Sequence, residues 1–168
     1  MNPRRKYFLL SMIVLSLLIS PSGVQAQATV PQLDQVVLMK QMIGTWQNEF
    51  APDSLIIWEI KPYGEGLEMH YQFTTQGETY REVKQLVGFD PKFETFVTYT
   101  LFPSGRFILF NGKFTTEKQS VVEVKDRMNP EQVLSRGEYE FKTADLFTVT
   151  RIFGNYGAKP GTYFRIKK

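Results

Sequence analysis

From Thr45 onward, apolar and polar residues alternate with a period of two, and turn-forming clusters break the alternation about every ten residues. This rhythm excludes a helical domain and predicts strands near Gly44–Phe50, Ser54–Lys61, Gly66–Thr75, Thr79–Phe89, Thr95–Phe102, Phe107–Phe114, Ser120–Arg127, Val133–Phe141, Leu146–Phe153 and Thr162–Ile166. The breaks carry turn chemistry, including Ala51-Pro52-Asp53, Tyr63-Gly64-Glu65-Gly66, Gln76-Gly77, Asp90-Pro91, Pro103-Ser104-Gly105, Asn129-Pro130 and Lys159-Pro160-Gly161. Short links favour pairing between sequence neighbours, and closing the sheet removes the exposed edges that so many strands would otherwise leave. The expected fold is all-β, an antiparallel up-and-down β-barrel of about 8–10 strands, preceded by a short helix. That helix is predicted over Leu33–Met42, where Leu33, Val36, Val37, Met39 and Met42 recur at helical spacing, Asp34 sits early in the first turn, and Gly44 ends it. A helix this short is marginal alone and is expected to pack over one mouth of the barrel.

Strand alternation separates two faces. Leu67, Met69, Tyr71 and Phe73 form an apolar face opposite Glu68, His70, Gln72 and Thr74. Ile56, Trp58 and Ile60 share one face of the preceding strand. Phe107–Phe110 is apolar on both faces, which implies a covered outer surface or a partner.

The N-terminal segment has a different character. Arg4, Arg5 and Lys6 precede the apolar stretch Tyr7–Ile19, a break at Pro21-Ser22-Gly23, and small residues at Val24 and Ala26. This order reads as a secretory signal peptide over residues 1–26 with cleavage after Ala26. Cleavage after Ala28 and an uncleaved anchor are the alternatives; the apolar stretch is short for a bilayer span. Residues 27–32 read as a flexible polar tail and residues 33–168 as one barrel domain, secreted or periplasmic. No second apolar stretch is long enough for a transmembrane helix, so no stable membrane anchor is expected after cleavage.

Cleavage also removes the chain's basic excess. The whole sequence has 20 Lys plus Arg against 17 Asp plus Glu, and losing Arg4, Arg5 and Lys6 leaves the two signs equal. A neutral mature protein lacks the electrostatic footprint for nucleic acid or an anionic membrane. With no cysteine, disulfides are excluded and the core must hold the domain together; 14 Phe and 8 Tyr make that core aromatic.

Catalytic signals are sparse. The single histidine, His70, and the lack of cysteine exclude most nucleophilic triads. Acid pairs such as Glu65 with Glu68 or Glu138 with Glu140 read as solvated faces. The glycines at 64 and 66 join two strands and do not cradle a phosphate ahead of a helix. No metal site and no cofactor is expected. Trp58, Met69, Tyr71, Phe73 and Tyr99 are the candidate walls of a ligand pocket, with His70 as its polar anchor. The opposing reading is an interior filled by its own side chains.

The helix leading into Gly44-Thr45-Trp46, the Gly88-Phe89-Asp90 turn, Asn111-Gly112 and the final strand Tyr163-Phe164-Arg165-Ile166-Lys167 together resemble the lipocalin-like, or calycin, superfamily, and in particular its small secreted bacterial members of undetermined function. The resemblance implies that Trp46 packs across the barrel floor beneath an arginine of the closing strand. Gly44, Trp46 and Arg165 match this structural closure, with Arg151 as the rival arginine. It also brings haem into view, because some small barrels related to calycins bind it, with His70 as the axial ligand to consider. The mid-barrel lipocalin motifs are missing, so no specific ligand follows. The expected function is non-covalent binding of a small hydrophobic or amphipathic molecule. A filled barrel acting as an interaction surface, or a cavity isomerase or hydrolase using His70, are the alternatives; the oligomeric state is open.

Overall fold

The computed structural model describes residues 32–126, 128–129, 131–153 and 160–167. The expected signal peptide and nearly all of the polar tail fall outside them. Ten antiparallel strands follow one another around a closed barrel: β1 (Gly44–Ala51), β2 (Ser54–Tyr63), β3 (Gly66–Thr75), β4 (Glu78–Asp90), β5 (Thr95–Leu101), β6 (Phe107–Phe114), β7 (Gln119–Lys125), β8 (Val133–Thr143), β9 (Leu146–Phe153) and β10 (Gly161–Arg165). Each strand pairs with its sequence neighbours, and β10 returns to β1. The expected meander is therefore the observed one. Helix α1 spans Gln35–Lys40, shorter than its apolar spacing predicts. Asp34 is its N-cap, and its carboxylate accepts the Val37 N–H at 3.0 Å.

The turns follow from their residues. Between β3 and β4, Gln76 and Gly77 have φ values of 53° and 81°, the paired left-handed conformations of the two-residue hairpin loop whose twist matches that of the strands. Gly88-Phe89-Asp90 continues β4, and the reversal begins just after it, where the Asp90 carboxylate accepts the Lys92 N–H at 2.9 Å.

Register carries the core around the barrel. Arg165, Trp46, Trp58, Tyr71 and Val83 are successive cross-strand partners from β10 through β1, β2 and β3 to β4. Trp46 and Trp58 are fully buried, and Phe147 packs edge-on to Trp46 with a centroid separation of 4.6 Å. Gly112 leaves room for the Phe96 ring on the neighbouring strand, which a Cβ at that position would overlap.

Helix α1 closes the floor. Met39 and Met42 are buried beneath the barrel. The Gln35 amide pairs in both directions with the Phe114 backbone, donating to its carbonyl at 3.1 Å and accepting its N–H at 2.7 Å. Trp46 Nε1 donates to the Met42 carbonyl at 2.8 Å. The Arg165 guanidinium lies 4.1 Å from the Trp46 ring and donates to the carbonyls of Gln41, Ile43 and Ala144, while Asp145 supplies its carboxylate at 3.3 Å. The closing arginine is thus Arg165. Gly44, at φ 140°, is required beneath it because a Cβ there would overlap Arg165 Nη1.

Gly44→Ala is expected to destabilise the fold by about 1–3 kcal/mol. Arg165→Ala removes three hydrogen bonds from the floor and is expected to cost about 2–4 kcal/mol, against less than about 1 kcal/mol for Arg151→Ala. Urea unfolding midpoints of the three variants check this order.

Candidate functional site

Above the floor the barrel is open inside. A cavity of about 520 Å³ runs from Met42, Met69, Val87 and Phe96 at the helix end towards Phe73, Phe102, Ile108 and Leu134 at the other. The volume lies within the range of small-molecule pockets. Its strands contribute alternate residues, as the pleat requires: Met69, Tyr71 and Phe73 from β3; Arg81, Val83, Gln85 and Val87 from β4; Thr98 and Thr100 from β5.

The apolar lining is interrupted by hydroxyl and amide groups. Thr98, Thr100 and Ser120 are buried with their strands' inward faces, and Gln85 Nε2 donates to Thr100 Oγ1 at 2.6 Å. Two arginines add charge. Arg81 lies 5.2 Å from the Phe73 ring and 5.3 Å from the Phe102 ring, and Arg151 lies 6.0 Å from the ring of Trp58. Arg136, at the cavity's edge, is already neutralised by Glu123 at 3.1 Å and Glu138 at 2.9 Å.

The candidate wall residues divide. Met69, Tyr71 and Phe73 line the cavity. Trp58 is fully buried behind that lining, packed against Tyr71 at 4.6 Å and Tyr163 at 4.3 Å, and its Nε1 has no hydrogen-bond partner. His70 and Tyr99 stand on the opposite face of their strands. His70 alternates with the inward Met69 and Tyr71, and its Nε2 lies 3.7 Å from Glu82 Oε2. This placement does not present the imidazole to the interior, where a polar anchor or an axial haem ligand would have to be. Tyr99 alternates with the inward Thr98 and Thr100 and stacks on Phe107 at 5.2 Å on the outer surface. Among the described residues, no three His, Asp or Glu side chains converge as a metal site.

Arg81 and Arg151 are the interior groups that the sequence reading did not select. Strand alternation holds the signal for both: Arg81 is in phase with Val83, Gln85 and Val87, and Arg151 with Phe147 and Val149.

Tyrosines surround Arg151. Burial pushes the Tyr71, Tyr139 and Tyr163 hydroxyls above their ordinary value, Tyr163 to about 12, and the Arg151 charge offsets part of each shift. All three are therefore neutral at physiological pH; Tyr71 and Tyr139 line the cavity, and the Tyr71 hydroxyl donates to Met69 Sδ at 3.3 Å. The chain matches no protein-family model, and no curated protein is significantly similar to it.

The unfolded chain releases tyrosine protons near pH 10, whereas folded Tyr163 holds its proton to about 12. Above pH 10 the unfolded state binds fewer protons, so stability falls with rising pH by about 1.4 kcal/mol per unit for each such tyrosine until the folded group also titrates. Urea unfolding followed between pH 9 and 12 is expected to show this loss, and Tyr163→Phe to make it shallower.

Proposed function

We propose that this protein binds a small apolar or amphipathic molecule non-covalently inside its barrel, as a lipocalin-like carrier of the calycin type. The observation that carries the reading is the cavity of about 520 Å³, enclosed by strands, floored by a helix and lined by apolar side chains with a few inward polar groups. Such a lining favours transfer of apolar surface out of water while the polar groups fix orientation. The Trp46–Arg165 floor supports the calycin assignment. Polar cavity groups without a histidine or an inward acid pair support binding over turnover.

The order of charged, apolar and small residues at the N-terminus supports export, with cleavage after Ala26 and a secreted or periplasmic mature protein. The intact mass of protein recovered from outside the cytoplasm is expected to correspond to a chain starting at Gln27.

A second reading has its own observation. On the outer surface, Leu86, Tyr99 and Leu109 are aligned across β4, β5 and β6, with Leu101 and Phe107 paired beside them, and all five are substantially exposed. A contiguous apolar strip of this kind favours an additional role in protein interaction.

Native mass spectrometry of protein purified gently from its own host is expected to show a stoichiometric adduct that is released on denaturation. Thr98→Trp places an indole in the cavity and is expected to abolish both the adduct and the ligand-induced rise in Tm, a rise that reflects about 2.7 kcal/mol of stabilisation at a ligand concentration one hundred times Kd. A folded wild-type protein with neither adduct nor thermal shift across apolar and amphipathic compounds would overturn the carrier reading in favour of the outer strip.

A further inference from the structure

The cavity's charge is one-sided. No aspartate or glutamate contributes to its lining, and both arginines that face inward lack a carboxylate within ion-pair distance among the described residues. Arg81 rests between two phenylalanine rings and Arg151 against Trp58, contacts that orient a guanidinium without neutralising it. Arg136, the other arginine of the lining, is paired with Glu123 and Glu138, and Arg165 at the floor with Asp145. Both Arg81 and Arg151 are exposed to solvent, so their guanidinium groups are accessible to an anion that enters the cavity.

The two inward arginines also lie towards the same end of the barrel. On β4 the inward residues run from Val87 beside the floor through Gln85 and Val83 to Arg81, close to the Gln76-Gly77 hairpin. On β9 they run from Phe147 beside the Trp46 floor through Val149 to Arg151. Both guanidinium groups therefore stand towards the end of the barrel away from helix α1, while the helix end is lined by Met42, Met69, Val87 and Phe96.

We propose that the ligand is an anionic amphiphile, bound with its apolar tail on the helix-side floor and its single anionic head, a carboxylate or an equivalent oxyanion, held between Arg81 and Arg151 towards the open end. This rests on the carrier reading and gives it a ligand class and an orientation. The Tyr139 hydroxyl, on the cavity lining with Arg151, is a neutral donor for a remaining oxyanion lone pair.

The test compares decanoate, decanol and decyltrimethylammonium, each below its micelle concentration, by isothermal titration calorimetry on the wild type, on Arg81→Gln/Arg151→Gln and on Thr98→Trp. Decanoate is expected to bind about 10- to 100-fold more tightly than decanol, and the double arginine variant to bring the ratio of the two affinities close to one. Arg81→Lys/Arg151→Lys keeps the charge and is expected to retain part of the preference. Val87→Trp, which fills the floor, is expected to weaken decanoate more than hexanoate; the opposite order would overturn the tail-down orientation. Equal binding of the three compounds, or preference for the cation, would overturn the anion inference and leave the carrier reading standing. Binding of none of them to a folded wild type, with no difference from Thr98→Trp, would overturn both.

Discussion

Everything in this barrel rests on one guanidinium. Arg165 lies flat on Trp46 and reaches three backbone carbonyls from two separate stretches of chain, the end of helix α1 and the β8–β9 turn. The carbonyls of Gln41 and Ile43 are partly buried, and leaving a partly buried carbonyl without a donor costs stability, whereas that of Ala144 is exposed. One side chain therefore fixes the helix, the first strand and the last strand together. Gly44 is the complementary absence, a position where the backbone must come so close that no side chain fits.

The same floor sets what the rest of the interior can be. With the helix end sealed by Met39, Met42, Trp46 and Phe147, the remaining volume opens towards the other end, and the strands there need not pack against one another. Aromatic rings concentrate around Trp58, where Tyr71, Tyr139, Phe147 and Tyr163 all approach it. The opposite wall carries Thr98, Thr100, Gln85 and Ser120. The cavity is thus asymmetric, with an aromatic side and a hydroxyl-rich side, and Arg81 and Arg151 lie towards its open end.

The fold was legible because strand periodicity, turn residues and the Gly44-Thr45-Trp46 opening all point the same way; Gly66–Thr75, Phe107–Phe114 and Leu146–Phe153 have the boundaries that the pattern predicts. The cavity was only partly legible. On β3 the apolar residues are the inward ones, so Met69, Tyr71 and Phe73 are readable as lining. On β5 hydropathy misleads: its inward residues include Thr98 and Thr100, while Tyr99 and Leu101 face out into the apolar strip, so choosing the aromatic residue selects the wrong face. His70 stood out for its rarity, although its phase between Met69 and Tyr71 already directs it outward. Arg81 and Arg151 were obscured for the converse reason, since a charged residue on a strand is ordinarily on the solvated side.

The seam between β1 and β10 has a further consequence, in the order of assembly. Every other strand pair joins neighbours in sequence and can form as a local hairpin, but Arg165 must meet Ile43 across a separation of 122 residues. Their backbone register is short, Trp46 with Arg165 and Gln47 with Phe164, and beyond it the Asn48 side chain bridges to the Thr162 carbonyl at 2.6 Å. Loop-closure entropy is thus concentrated in one narrow contact, and long-range pairings of this kind slow folding. Until the seam shuts, the meander is an open sheet with two bare edges, so the same residues that floor the finished barrel also set how long the nascent one stays exposed to edge-to-edge association.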